Sequence, residues 1–451
     1  MRFPLLLATA TLAGCSVATV TPDARPSVSA RFASATPAAQ QSLDVDWWSR
    51  LGDPALTALL KRARASSPDL RTAAANVLAA RATARQTGAG QYPGVSGEAS
   101  ATLSEGEANE RTTSRTGLID AKWEVDLFKR ARAATRADVA RAGSEEASYA
   151  GAYVSLAAEV ADAYVQYRAC RLVEGVYRDA VTSQRQTLRS TEDLVGEGLS
   201  PAADRALARA NLASSEISLE SQRADCRVLV QTIAAAAGIS GAEAQAVLST
   251  GGGLPSMAPF RVASVPADLI RQRPDIFAAE LDLRATLLDL RVAKADLYPS
   301  LTLGGSVTAT NPSSWSFGPA LSLPIFDGGE RRAAVRVANA QALASAEGYR
   351  SAVHTAVGET EESLTRLAAA STNVASAGTL VVEYQSYFDA IDDDWEAGGA
   401  TLLNREDARR QVQSAEITRI SQRESLLRQW IALYKAVGGG WTRPATAANG
   451  A

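Results

Sequence analysis

Few side chains in this chain have the type or spacing for covalent or acid–base work. There are three cysteines and one histidine. His354 stands apart from any cysteine or carboxylate cluster at ligand spacing, so no metal centre is expected. No Walker loop, Gly-x-Ser-x-Gly elbow or dinucleotide fingerprint is present. Gly251-Gly252-Gly253 reads as a linker, because no strand or phosphate-binding helix frames it. The chain is therefore expected to be no enzyme and to need no cofactor. The chemistry left is oxidative and electrostatic. Cys170 and Cys226 lie equally far on either side of Gly198. If Gly198 turns two antiparallel helices, both cysteines sit at one height, and an oxidising compartment would join them in a disulfide. Two separate buried thiols are the alternative. Asp392-Asp393-Asp394 is an acidic run, read as a solvated helix face or as a contact for a partner protein.

The third cysteine, Cys15, has a different setting. Arg2 is the only early charge, Phe3 to Ala13 is apolar, and Leu12-Ala13-Gly14-Cys15 follows. Residues 1–14 read as a signal peptide, too short to span a bilayer. The ending resembles a bacterial lipobox, in which cleavage leaves the cysteine first and lipid-modified. A plain secretory signal is the alternative. Ser16 stands where an Asp would retain such a lipoprotein at the inner membrane, which implies the outer membrane. No other apolar run is long enough for a spanning helix. The net charge of −3 gives no reason to expect nucleic acid.

The elements that would position these groups occur twice. A Tyr-Pro pair, an alternating apolar segment and a long Ala-rich helical stretch run from Tyr92-Pro93 to about Gly238. They run again from Tyr298-Pro299 to about Gly438, the mark of a tandem repeat. Between Lys129 and Glu197, apolar residues recur at Tyr153, Leu156, Val160, Ala163 and Tyr167, as a coiled helical seam requires. That stretch would span roughly 100 Å as a helix. The returning helix after Gly198 would cover only about 58 Å, and the helical segment 60–91 about 48 Å. The second repeat gives about 105 Å for 328–397, against about 58 Å for 399–437 and about 47 Å for 267–297. Two short helices stacked end to end would match each long one.

Between helices the period changes to two. Val95, Gly97, Ala99, Ala101 and Leu103 alternate with polar residues, as do Ile119, Ala121, Trp123, Val125 and Leu127. Leu301, Leu303, Gly305, Val307 and Ala309 repeat the pattern, followed by Trp315, Phe317, Leu321, Leu323 and Ile325. Four strands are expected, about 94–105, 115–127, 300–310 and 314–326. Each has the length and two-faced pattern of a membrane β-strand. Pro319 weakens the last of them. Four strands cannot close a barrel, and an open edge cannot sit in lipid, so copies of the chain would have to combine. The fold class expected is mainly α with membrane β.

At this point the chain resembles the outer-membrane factor family of TolC-like exit ducts, in its lipidated OprM/NodT-type branch. The likeness is carried by Trp47-Trp48 with Leu51-Gly52-Asp53-Pro54 and Leu56, and by Trp123-Glu124-Val125-Asp126-Leu127-Phe128. It continues in Val265-Pro266 through Arg273-Pro274-Asp275-Ile276 with Ala279-Glu280, and in Leu323-Pro324-Ile325-Phe326-Asp327-Gly328-Gly329. The resemblance implies a homotrimer whose strands form one outer-membrane barrel and whose helices form a periplasmic tunnel. It implies a periplasmic adaptor and a proton-driven multidrug pump in the inner membrane as partners, with outer-membrane lipid around the barrel. The function implied is a tripartite-efflux exit duct for drugs or other small solutes. A periplasmic adaptor lipoprotein and a duct for type I protein secretion are the alternatives. An adaptor would carry one helical hairpin, whereas this chain has two.

The resemblance also implies a closed periplasmic mouth at the two helical turns, Gly198 and Gly398. Carried over residue by residue, its aperture positions are Asp204, Leu403 and Asp407. Asn404 departs from the aspartate that Asp204 provides in the first repeat, and Leu207 stands opposite Asp407. A symmetric ring of carboxylates would draw cations. Arg205, Arg405 and Arg409 are expected to close the mouth by pairing with those carboxylates. In outline, residues 15–59 form an N-terminal equatorial segment, 60–238 the first repeat, 239–265 a linker, 266–438 the second repeat and 439–451 a tail.

Overall fold

The computed structural model describes residues 47–105, 110–255, 273–310 and 312–443. Cys15 and the 1–14 leader lie outside the described residues. The chain divides into two compact units. Among the described residues, the first holds 77–145 and 279–351, apart from 106–109 and 311, and the second holds 47–76, 146–255, 273–278 and 352–443.

The first unit holds one antiparallel sheet of β1 (Gly94–Glu105), β2 (Arg111–Val125), β3 (Ser300–Ala309) and β4 (Ser314–Ser322), in that order. β2 and β3 join the two repeats, from Gly117 opposite Ala309 to Val125 opposite Leu301. Directly opposed residues share a face of the sheet. One face therefore gathers Val95, Ile119, Trp123, Leu303, Val307 and Phe317. On the other, Ser96, Asp120, Ser306 and Ser316 form a polar row across all four strands. The apolar face is open: Val95, Trp315 and Phe317 are 70%, 79% and 75% exposed. In a soluble sheet such a face would have to be buried. β1 and β4 each have one edge without a strand partner among the described residues.

Two strand limits differ from the sequence reading. β2 begins at Arg111 rather than 115, because the polar residues of the tip continue the ladder to Glu105 opposite Arg111. β4 stops at Ser322 rather than 326, just before Pro324, which has no N–H to donate to a ladder. Pro319 stays in the strand opposite Leu303. It has no N–H to offer a ladder on either side of β4. At both strand-to-helix junctions a carboxylate caps the helix. Asp126 accepts from the N–H groups of Ala131 and Arg132 at 3.0 and 3.1 Å. Asp327 accepts from those of Gly329 and Arg331 at 2.9 and 3.3 Å.

The helices are α1 (Pro54–Ser66), α2 (Pro68–Ala89), α3 (Arg130–Gly196), α4 (Ala202–Ala237), α5 (Gly241–Leu248), α6 (Pro274–Ala295), α7 (Glu330–Glu396) and α8 (Leu402–Ala436). α3 and α7 both have 67 residues. Among the described residues no helix is long and apolar enough to cross a membrane. The segment expected as one helix over 60–91 is two, α1 and α2. Ser67 leaves the helical conformation, with φ of −56° and ψ of 122°, and Pro68, lacking an N–H, starts a new helix. α5 occupies part of the expected linker, closed by a capping box between Ser240 and Glu243. The helix expected over 267–297 is seen from Pro274 to Ala295, and 256–272 lie outside the described residues.

The second unit contains the main core. Trp47, Trp48, Leu56, Leu59, Tyr164, Ile233, Leu248 and Tyr434 belong to one buried cluster. Here the short helices meet end to end. α4 ends at Gly238, where an added Cβ would lie 2.7 Å from the carbonyl oxygen of Ser66, just before α2. α8 ends by Gly438, where an added Cβ would lie 3.1 Å from Cα of Arg273, just before α6. Buried Arg273 seals the second junction. It donates to Ala436 O at 2.7 Å, Glu359 at 2.7 Å and Asp275 at 2.7 and 3.0 Å. In the first repeat, Asp53 caps α1 and accepts the Tyr164 hydroxyl at 2.5 Å. Arg168 donates to that hydroxyl at 2.7 Å and to the carbonyls of Leu248, Thr250 and Gly251. The glycine run is therefore a loop held by Arg168.

Candidate functional site at the helical tips

Both tips are built alike. At the end of α3, Leu199 N–H donates to Leu194 O at 2.8 Å, and Gly198 N–H to Val195 O at 3.2 Å. At the end of α7, Gly399 N–H donates to Asp394 O at 2.8 Å, and Gly398 N–H to Trp395 O at 3.0 Å. This paired pattern terminates a helix around a left-handed residue. Gly198 and Gly398 supply it with φ of 76° and 80°. The next helix then starts on Pro201 in one repeat and on Thr401, which accepts from Asn404 N–H at 3.2 Å, in the other.

The predicted aperture residues fall on open surface of the chain. Leu403 is 50% exposed, and Asn404 and Asp407 are exposed beside it. Asp204 sits half-buried in the first turn of α4 and accepts the Ser200 hydroxyl at 2.6 Å. The arginines do not pair with these carboxylates as expected. Asp407 instead pairs with Arg410, one turn along its own helix. Arg205 is exposed and makes no ion pair among the described residues. Arg405 and Arg409 turn to the opposite side of α8, because positions 405 and 409 share a helical face that packs on α3.

That face carries a group the sequence reading missed. Glu406 is 1% exposed. Its carboxylate accepts from Gln184 Nε2 and from the Thr187 hydroxyl, the latter at 3.4 Å. Arg405 lies 3.5 Å and Arg409 3.8 Å from it. Arg405 also pairs with Asp392 and stacks over Trp395, 4.4 Å from the ring centre. Arg409 reaches Ser183 and Thr187 and lies over Phe388. Burial pulls the Arg409 pKa below the usual guanidinium range, with nearby Arg405 acting the same way and Glu406 opposing both. Gln184 Oε1 is buried without a hydrogen-bond partner. The cluster ties α3 to α8, yet it sets two guanidiniums against one buried carboxylate and leaves one acceptor unmet. Of the acidic run, Asp392 belongs to this cluster, while Asp393 and Asp394 are exposed.

Further along the first hairpin, Cys170 of α3 and Cys226 of α4 are joined in a disulfide with Cα atoms 5.7 Å apart. Among the described residues, no group of His, Cys, Asp and Glu could hold a metal ion.

The family described as outer membrane efflux protein matches residues 59–239 and 265–439, one match for each repeat. The chain belongs to that family. Outer membrane protein OprJ of Pseudomonas aeruginosa is 29% identical over 463 residues, covering 97% of this chain and 95% of OprJ. The pyoverdine export outer membrane protein OpmQ of Pseudomonas aeruginosa is 30% identical over 417 residues, covering 88% of this chain and 87% of OpmQ. Among solved structures, the outer-membrane channel OprN has a TM-score of 0.84 at 30% identity, covering 94% of this chain and all of OprN. The Campylobacter jejuni CmeC outer membrane channel has a TM-score of 0.87 at 19% identity, a likeness of fold. This outer membrane efflux protein is an outer-membrane channel component of an efflux system. Its fold combines a helical barrel portion with a membrane β-sheet portion. The open apolar face of the sheet is the side suited to lipid.

Proposed function

We propose that three copies of this chain form a trans-periplasmic exit duct for drugs or other small solutes, closed at its helical tips until an adaptor and a pump engage it. The observation that carries this reading is the sheet. One side of it is apolar and exposed, and among the described residues β1 and β4 each keep an open edge. Unpaired backbone cannot remain in lipid, so β1 of one copy must pair with β4 of the next. Cys15 anchors the assembly by lipid. Leu403, Asp407 and Asp204 narrow the mouth, and the Glu406 cluster holds the second hairpin against the first while it is shut. The partners are a periplasmic adaptor and a proton-driven multidrug pump.

The test joins assembly to transport. Native mass spectrometry of the detergent-solubilised protein is expected to give a trimer, and a strain lacking the gene is expected to become drug-sensitive. The adaptor should copurify with the tagged chain. A monomer that retains the channel's conductance, or unchanged drug susceptibility, would contradict the proposal.

A further inference from the structure

A cleft of about 540 Å³ opens in the first unit between the first turns of α3 and the last turns of α6. Lys129, Arg132 and Arg136 line it from one side, Arg291 and Lys294 from the other, and no carboxylate of the described residues is in its lining. Arg132 is held by Asp126 at 2.9 Å. Lys129, Arg136 and Arg291 have no carboxylate partner among the described residues. Phe128 and Tyr298 also line it, stacked with ring centres 4.7 Å apart, beside the apolar Ala133, Leu288 and Ala295.

Lys129 adds a second observation. It is the one non-glycine residue with positive φ among the described residues, at 61°. The matching place before α7 is Gly329, with φ of 93°. A left-handed backbone strains any residue with a Cβ, and the duplicated junction avoids that strain with glycine. The first repeat instead holds an ammonium there. Strain kept at one copy of a repeated turn points to a role for the side chain.

The cleft lies just beyond the ends of β2 and β3, where the membrane-facing sheet gives way to helix. Given the outer-membrane location, this is the level of lipid headgroups on the helix side. Guanidinium forks and an ammonium suit phosphate oxygens. Aromatic rings suit the boundary between headgroup and acyl chain. We propose that this cleft binds the phosphate headgroup of an anionic phospholipid. The proposal needs the sheet to span the outer membrane but not the efflux role, so drug susceptibility does not bear on it.

The test uses the full chain in detergent, titrated with phosphatidylglycerol or phosphatidylcholine and read by native mass spectrometry. Phosphatidylglycerol is expected to be retained about tenfold more tightly. Lys129→Gly with Arg291→Gln is expected to abolish that preference. Lys129→Gly alone is expected to leave the thermal midpoint unchanged or raised, because glycine fits the turn, so the loss of lipid is not unfolding. Equal retention of the two lipids by the unaltered protein would overturn the proposal. So would unchanged retention by the double variant, or inorganic phosphate competing at equal concentration.

Discussion

Thr187 and Glu406, 219 residues apart, meet in a hydrogen bond of 3.4 Å that joins the first hairpin to the second. The contact sits inside a buried cluster in which Glu406 is flanked by Arg405 and Arg409. Removing Glu406 leaves Arg405 its pair with Asp392 but takes from Arg409 its one ion-pair carboxylate among the described residues, at about 3 kcal/mol. Glu406→Ala is therefore expected to lower stability by about that amount and to raise single-channel conductance in bilayers. Glu406→Gln, which keeps the shape, is expected to do less of both. If neither variant changes conductance, the cluster has no part in closure.

Leu403 and Asp407 stand on the exposed side of the same helix. Replacing both with alanine is expected to widen the mouth and raise conductance, with little loss of stability, since neither side chain is buried. Conductance equal to that of the unaltered protein would remove both from the aperture.

Cys170 and Cys226 close a loop with a sequence separation of 56. A cross-link of that span stabilises by about 4 kcal/mol in the chain-entropy description. Replacing both cysteines with serine is expected to lower the unfolding midpoint. Titration of the denatured, unreduced protein is expected to find neither thiol reactive, and two reactive thiols would contradict the bridge. If the tunnel opens, the second hairpin, which has no such clamp, is expected to move more under spin-label distance measurements.

Glu424 gives a pH dependence. Burial raises its pKa above the ordinary 4.5, although Arg428 at 3.7 Å opposes the shift. The folded state then holds the proton more tightly than the unfolded one. Its contribution is greatest below the ordinary value and is lost as pH rises through the raised one. Glu424→Gln is expected to raise the unfolding midpoint at pH 7 and to leave it nearly unchanged at pH 4. The same gain at both values would contradict this assignment.

The repeats, the strand faces and the turning glycines were all readable from periodicity, because each is a local property written many times over. The break between α1 and α2 was equally local, and Pro68 signalled it. α5 was signalled too, by Ser240 and Glu243 at capping-box spacing. The buried partner at the tip was less accessible. Glu406 and Asp407 are adjacent acids of similar character, and only the packing of α8 on α3 decides which one is buried. Arg273 presents the same problem: its role depends on Glu359 and Ala436, far away in the chain. Within one chain Arg405 and Arg409 lie against Glu406 rather than the aperture carboxylates, for the same reason. Nearness in sequence says little about which face of a helix a side chain occupies.

Gly198 and Gly398 turn two helices of equal length, 67 residues each. That equality constrains how the chain can evolve. A heptad lost from α3 alone would put Thr187 out of level with Glu406 and leave a buried carboxylate facing the wrong turn. The same loss from α7, with its partner α8 shortened to match, would do likewise. Hairpin length should therefore change by coupled insertions or deletions in both repeats, and relatives with only one hairpin lengthened would contradict the idea.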